Sequence, residues 1–307
     1  MSGEGSLALY RGPRAASGLL GALGRAKDRL RARADAVVDQ LLGDDALARI
    51  ESLTKPNDGP DEFGFDPRVA RYAVVAARAI YKQYFRTEVF GIENVPEGRV
   101  MLISNHSGQL PLDGLAIGAS LLLEAPRPRF VRSMVEKWTA TIPFVAELFP
   151  RVGQIVGVPE NCIRLLENEE AVLVFPEGSR GISKTFDRRY QLSDFGLGFM
   201  RMALAAKAPI VPIAVIGAEE QYISIANLDR IARLLGMPAL PVMPQLLVPG
   251  GFLPLPTKYR VYFGEPLAFD GDPDDEDAVI EAHVAVVKAH IQSMINRGLK
   301  ERRAIFW

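Results

Sequence analysis

Arg99-Val100-Met101-Leu102-Ile103-Ser104-Asn105-His106-Ser107-Gly108-Gln109-Leu110-Pro111-Leu112-Asp113 is the stretch that sets the fold class. Residues 100–104 read as an apolar strand. Asn, His, Ser, Gly, Gln and Pro then make a shaped loop, and Asp113 opens a helix over 113–123. Strands alternating with helices build α/β sheets. In open sheets of that kind ligands gather outside the C-terminal ends of the strands. That is where His106 falls.

Working outward, the same alternation continues. On the N-terminal side, residues 17–53 read as a helix. Its apolar positions Leu19, Leu23, Ala26, Leu30, Ala34, Val37 and Leu41 step by three and four. Arg25, Lys27, Arg29, Arg31 and Arg33 occupy the other face. Such a helix suits an anionic bilayer surface, and it equally suits packing on the main domain. Lys55-Pro56-Asn57-Asp58-Gly59-Pro60 is a linker by composition. Asp66-Pro67 starts a second helix, with an acceptor side chain at the cap and proline in the first turn; it runs to about Phe85. Strands are expected over 88–92, 129–133, 154–156, 171–175, 210–216 and 259–264. Helices are expected over 137–148, 159–167, 194–206 and 275–302. The fold class is therefore α/β, a mixed and largely parallel central sheet flanked by helices, with an N-terminal amphipathic helical extension.

The bulk numbers exclude several function classes. The chain has 307 residues, 48% hydrophobic and 24% charged, enough to bury a large core. Lys plus Arg (36) nearly balances Asp plus Glu (37), so no chain-wide basic footprint for nucleic acid exists. Cys162 is the one cysteine, which excludes an intrachain disulfide and a cysteine-rich zinc site. Residues 1–14 lack the apolar core of a signal peptide. The uncharged segment 234–257 carries Pro238, Pro241, Pro244, Pro249, Pro254 and Pro256. Interior prolines remove helix hydrogen bonds, so it is not a straight spanning helix. It reads as an apolar loop that lies in a membrane interface, covers an acyl tunnel, or packs over the core.

Three histidines are available. His283 and His290, seven apart, share a helix face with no further signal. His106 has one. A catalytic histidine needs a partner on its second ring nitrogen to fix the tautomer, and Asp113 supplies one if the loop folds back. Val174-Phe175-Pro176-Glu177-Gly178-Ser179-Arg180-Gly181 also follows an apolar strand, and so should reach the same sheet edge. Gly178 and Gly181 permit close backbone approach, Ser179 and Arg180 are donors suited to phosphate, and Lys184, Arg188 and Arg189 follow. Both motifs also admit plain structural roles, a loop histidine and a solvated turn. No G-x-S-x-G elbow, Walker loop, G-x-G-x-x-G loop or H-E-x-x-H is present.

His106 with Asp113, followed about seventy residues later by Phe175-Pro176-Glu177-Gly178-Ser179-Arg180, resembles the PlsC-like glycerolipid and lysophospholipid acyltransferase family. The resemblance extends over about residues 88–266. It includes Phe149-Pro150-Arg151-Val152-Gly153-Gln154-Ile155-Val156-Gly157 as the family's second block and Ala208-Pro209-Ile210-Val211-Pro212-Ile213 as its fourth.

The resemblance implies an O-acyltransferase domain over 61–307, preceded by the helix and linker of 1–60. His106 would be the general base and Asp113 its orienting carboxylate. Glu177, Gly178, Ser179, Arg180 and Lys184 would bind the acceptor. The donor would be acyl-CoA or acyl-carrier protein, with no metal and no cofactor. Partners would be membrane lipids and the thioester donor, not nucleic acid, at the cytoplasmic face of a membrane. Two features depart from the family. Six residues, 107–112, separate His106 from Asp113 where the family has four, so the pair requires the loop to bulge at Gly108 and Pro111. The second block has Gly157-Val158-Pro159 where an arginine is usual, with Arg151 six residues earlier. The longer spacing, with Leu110-Pro111 before the Asp, resembles the branch of the superfamily that includes diacylglycerol- and phytyl-ester-type acyltransferases. Lysophosphatidate or a related glycerolipid, a neutral acceptor such as diacylglycerol or a long-chain alcohol, and non-catalytic lipid binding therefore all stand as readings.

Overall fold

A computed structural model describes residues 14–54, 59–106, 110–234 and 240–307. The side chains of 14–23, 229 and 233 are not among them. Seven strands form the central sheet: β1 (Glu88–Phe90), β2 (Val100–Ser104), β3 (Val131–Val135), β4 (Gln154–Val156), β5 (Ala171–Val174), β6 (Ile210–Ile216) and β9 (Arg260–Phe263), in spatial order β1-β9-β6-β2-β5-β3-β4. The short strands β7 (Ala226–Asn227) and β8 (Pro241–Val242) pair apart from it. β6, β2, β5, β3 and β4 run parallel. β9 joins β6 antiparallel and carries β1 parallel to itself. The sheet is mixed and largely parallel, as the alternation predicts.

Helices cover both faces, which is why β2 and β6 are apolar along their length with no alternation. On one face, Met101, Ile103, Val172, Ala214 and Ile216 pack against α5 (Pro159–Glu167) and the helices Gly198–Ala206 and Asp277–Glu301. On the other, Val100, Leu102, Leu173, Val211 and Val215 pack under α1 (Arg14–Leu53), α3 (Leu112–Leu123) and the end of α2 (Pro67–Ala79). Asp66 caps α2 by accepting from Arg68 N at 3.0 Å. A π-helical turn, Ile80–Tyr84, extends it and puts Tyr81 and Phe85 in the core.

Of the two readings left open for the apolar stripe of the N-terminal helix, packing on the sheet does not hold for Leu30, Val37 and Leu41, which are exposed; Val38, Leu42, Ala46 and Ile50 are buried instead, and the side chains of Leu19 and Leu23 lie outside the described residues. Both stripes exist in the sequence, and α1 breaks at Gly43 (φ 75°), within the buried one. Two helix expectations are corrected. The helix expected over 137–148 is two pieces, a 3-10 turn Lys137–Thr141 and α4 (Val145–Arg151). Pro143 holds the preceding Ile142 extended, and Phe144 has φ 66°. The helix expected from 194 begins only at Gly198. Strands 88–92, 129–133 and 259–264 shift or shorten by one or two residues, the usual scatter at element ends.

Among the described residues no helix is long and apolar enough to cross a membrane. Of the 234–257 segment, residues 235–239 lie outside the described residues; the remainder carries a 3-10 turn, Pro244–Leu247, and exposes Leu247 (88%) and Phe252 (70%).

Candidate active site

β2 and β5 are adjacent and parallel, with Ile103 opposite Val174. The loops that follow them therefore emerge at one edge, and both sequence motifs meet there. Asn105 holds the first loop down. Its amide Nδ2 donates to Val215 O at 3.1 Å, and its Oδ1 accepts from Val215 N at 2.8 Å. That pair of bonds replaces a rung between β2 and β6 just where β2 ends, and it aims the next residue, His106, out of the sheet.

His106 Nδ1 lies 2.8 Å from Asp113 Oδ2. The loop does fold back, so the six-residue spacing still delivers the pair; Gly108, invoked for the bulge, lies outside the described residues. Asp113 is fully buried and its Oδ1 accepts from Gly114 N at 2.8 Å. The His106 side chain keeps 12% of its surface exposed. A buried carboxylate on Nδ1 fixes the tautomer and would stabilise the imidazolium formed on proton uptake. Nε2 then faces away from Asp113. The Phe175 ring stacks on the imidazole, centroids 4.0 Å apart and planes 22° from parallel.

The Glu177 carboxylate ties the loops together. Oε1 accepts from His106 N at 3.0 Å and Oε2 from Ser193 N at 2.8 Å. Lys184 Nζ sits 3.2 Å from Glu177 Oε2 and 3.1 Å from Glu219 Oε1. Glu219 Oε2 in turn accepts from Tyr190 N at 2.7 Å. Burial pushes the Glu219 carboxyl up to about 7, against the pull of Lys184. Next to it, Glu220 pairs with Arg302 at 2.6 Å. One lysine thus bridges two buried carboxylates under the histidine.

Gly181 explains the tight fit. A Cβ there would lie 2.8 Å from His106 Cβ and 3.0 Å from Glu177 Cβ, closer than side chains tolerate. Gly178 adopts φ 56°, ψ −146°, a backbone conformation suited to glycine. Ser179 N donates to Glu136 Oε1 at 2.7 Å. Arg180 is exposed and its guanidinium donates to Asp194 O at 3.0 Å. Arg151 is exposed at the end of α4; its carbonyl accepts from Asp66 N at 3.1 Å.

The residues His106, Asp113, Glu177, Gly178, Ser179, Arg180 and Lys184 therefore converge on one sheet edge. Sequence reasoning missed Glu136, Glu219 and Gln221. Gln221 Nε2 donates to Leu110 O at 3.1 Å, and Tyr259 OH donates to Gln221 Oε1 at 2.7 Å, bracing the same loop. A signal was present for two of them: Glu219 and Gln221 follow β6 immediately, at the edge where β2 and β5 end. Among the described residues, no group of three or more His, Cys, Asp or Glu is placed to hold a metal.

A His–Asp pair and a Glu-Gly-Ser-Arg turn thus share one edge of a largely parallel α/β sheet. The model of the acyltransferase family matches residues 86–216, the span from before β1 through the end of β6. An uncharacterized protein of Mycobacterium tuberculosis is 38% identical over 256 residues, covering 80% of this chain and 71% of its own. One from Mycobacterium leprae is 39% identical over 257 residues, with 80% and 70% covered. The chain belongs to the acyltransferase family. More distantly, a Gallus gallus protein described as a DGAT1/2-independent enzyme synthesizing storage lipids is 26% identical over 213 residues, covering 69% of this chain and 60% of its own. The solved 1-acyl-sn-glycerophosphate acyltransferase PlsC of Thermotoga maritima aligns with a TM-score of 0.45 and 16% identity, over 76% of this chain and 82% of that one.

Proposed function

We propose that the protein is an O-acyltransferase that moves a fatty acyl group from acyl-CoA or acyl-carrier protein to a lipid hydroxyl, with His106 as general base. The observation that carries this reading is the 2.8 Å bond between His106 Nδ1 and the fully buried Asp113. His106 Nε2 takes the proton of the acceptor hydroxyl as its oxygen attacks the thioester carbonyl carbon. The C–S bond breaks, and the departing thiolate recovers the proton from the imidazolium. Asp113 holds the ring throughout and balances its transient charge. Nothing in this sequence calls for a metal or a redox group. Ser179, Arg180 and the Glu177–Gly178 turn lie beside the histidine, where the acceptor must sit. Lysophosphatidate or a related glycerolipid is one acceptor class, and a neutral lipid alcohol such as diacylglycerol is the other.

The site of action is the cytoplasmic face of a membrane, with peripheral attachment. Thioester donors are soluble while the acceptor is not, so the enzyme must work at an interface. Exposed Leu247, Phe252, Leu253 and Ile225, with Phe144 (86% exposed), give it apolar surface for that purpose. The Arg25–Arg33 cluster on the exposed part of α1 suits anionic lipid headgroups.

Purified protein assayed with an acyl-CoA series and a panel of lipid alcohols in mixed micelles tests the mechanism. His106→Ala should lower kcat by about 10²–10⁴-fold, the usual contribution of a general base. Full activity in that variant would sink the mechanism. Vesicle binding without acyl transfer from any donor would favour a lipid-binding protein instead.

A further inference from the structure

A carboxylate already occupies a backbone donor of the turn proposed above to bind the acceptor. Glu136, the residue after β3, puts Oε1 2.7 Å from Ser179 N. Its Oε2 accepts from the Trp138 indole Nε1 at 3.1 Å, which fixes the side chain from the other side. Gly178 leaves room for this contact: a Cβ there would come within 3.2 Å of Glu136 Oε1. Ser179 lies in the same turn as Glu177, which holds the His106 backbone, and Gly181, which touches the histidine. Glu136 is exposed, and its bond to Ser179 N ties it to the turn that also carries Glu177 and Gly181.

The other two donors suited to a phosphate are also engaged. Arg180 points to the carbonyl of Asp194, and Lys184 is clamped between Glu177 and Glu219. A phosphate entering this turn would displace Glu136 from Ser179 N, break the Trp138 bond, and bring about −1.5 to −2 charges against a carboxylate. Rejection by a like charge is a standard route to specificity. A neutral hydroxyl lipid meets no such barrier.

We propose that Glu136 is a specificity-determining residue, and that it restricts the acceptor to neutral lipid alcohols by occupying the Ser179 N–H and placing a negative charge at the turn. The inference rests on the acyl-transfer reading above.

The test compares diacylglycerol and a long-chain alcohol with lysophosphatidate, as acceptors in the same mixed micelles, for the full chain and for Glu136→Gln. Glutamine keeps the acceptor oxygen for Ser179 N and removes the charge. The wild type should favour the neutral acceptors, and Glu136→Gln should shift the kcat/KM ratio toward lysophosphatidate by about tenfold, as for one close charge pair. Lysophosphatidate preference in the wild type, an unchanged ratio in a Glu136→Gln protein of unaltered Tm, or an Arg180→Ala variant that loses activity only on lysophosphatidate would each overturn it. Binding of the two acceptor classes to His106→Ala and to His106→Ala/Glu136→Gln is measured separately from turnover. If no acceptor is acylated, the acyl-transfer reading fails on its own. Equal binding of lysophosphatidate by the two variants then sinks the role of Glu136, and selective gain in the second sustains it.

Discussion

Beneath His106 the protein buries charge. Glu177 and Glu219 lie almost out of solvent with Lys184 between them, and Asp113 is wholly enclosed. A short distance away, in the segments that begin at Gln221 and brace the His106 loop, it does the opposite and exposes Ile225, Leu247 and Phe252. Each arrangement costs stability if considered alone. Buried charges lose hydration, and an exposed apolar group forgoes burial worth roughly 1.5–3 kcal/mol. The contrast teaches that the two regions answer to different partners. The floor is satisfied by the chain itself, with every carboxylate assigned a backbone N–H or a cation. Among the described residues the rim leaves its apolar side chains open, and the proposed interfacial attachment would use them.

Breaking the floor should produce the largest effect. Lys184→Met leaves Glu177 and Glu219 facing each other without a cation. Removing one member of a buried charged cluster costs about 3–5 kcal/mol, read as a lowered midpoint in denaturant. An unchanged midpoint would show that the carboxylates are held by their backbone donors alone. Gly181→Ala should come next. Its added methyl must push His106 or Glu177 aside, at about 1–3 kcal/mol of overpacking. A displacement approaching 1 Å at the histidine can cost about 10²-fold in activity. Kinetics together with a Tm would separate the two effects, and wild-type turnover would mean that the loop relaxes without cost. The rim should respond least in stability and most in membrane binding. Leu247→Ser with Phe252→Ser should alter folding stability by no more than about 0.5 kcal/mol. The same pair should weaken sedimentation with vesicles several-fold. A rim variant that unfolds as readily as Lys184→Met would erase the distinction between the regions.

Much of the site was legible because two local signals coincided. An apolar strand followed by Asn-His, and another followed by Phe-Pro-Glu-Gly-Ser-Arg, each state where a strand ends. In a parallel sheet strand ends share an edge, so their juxtaposition follows from topology alone. The failures share a cause too. Residues 137–148 are apolar and helical in pattern, yet Pro143 splits them, a local rule that periodicity outvoted. In α1 the sequence offers two adjacent stripes, Leu30-Val37-Leu41 and Val38-Leu42-Ala46-Ile50, and nothing local says which one finds the sheet. Lys184 has the composition of an anion ligand, and only its neighbours show where its charge is spent.

By itself, then, the sequence determined the class of the protein. Strand, helix and loop propensities are local, and the spacing of His106, Asp113 and Glu177 on strand ends is a property of the chain. Tertiary structure alone decided the electrostatics of the site. Whether Lys184 faces a substrate or Glu219, and whether Ser179 N faces a phosphate or Glu136, depends on segments more than thirty residues apart brought within 3.1 Å. Coulomb energies turn on such distances and on burial, and neither is written in any one stretch of sequence.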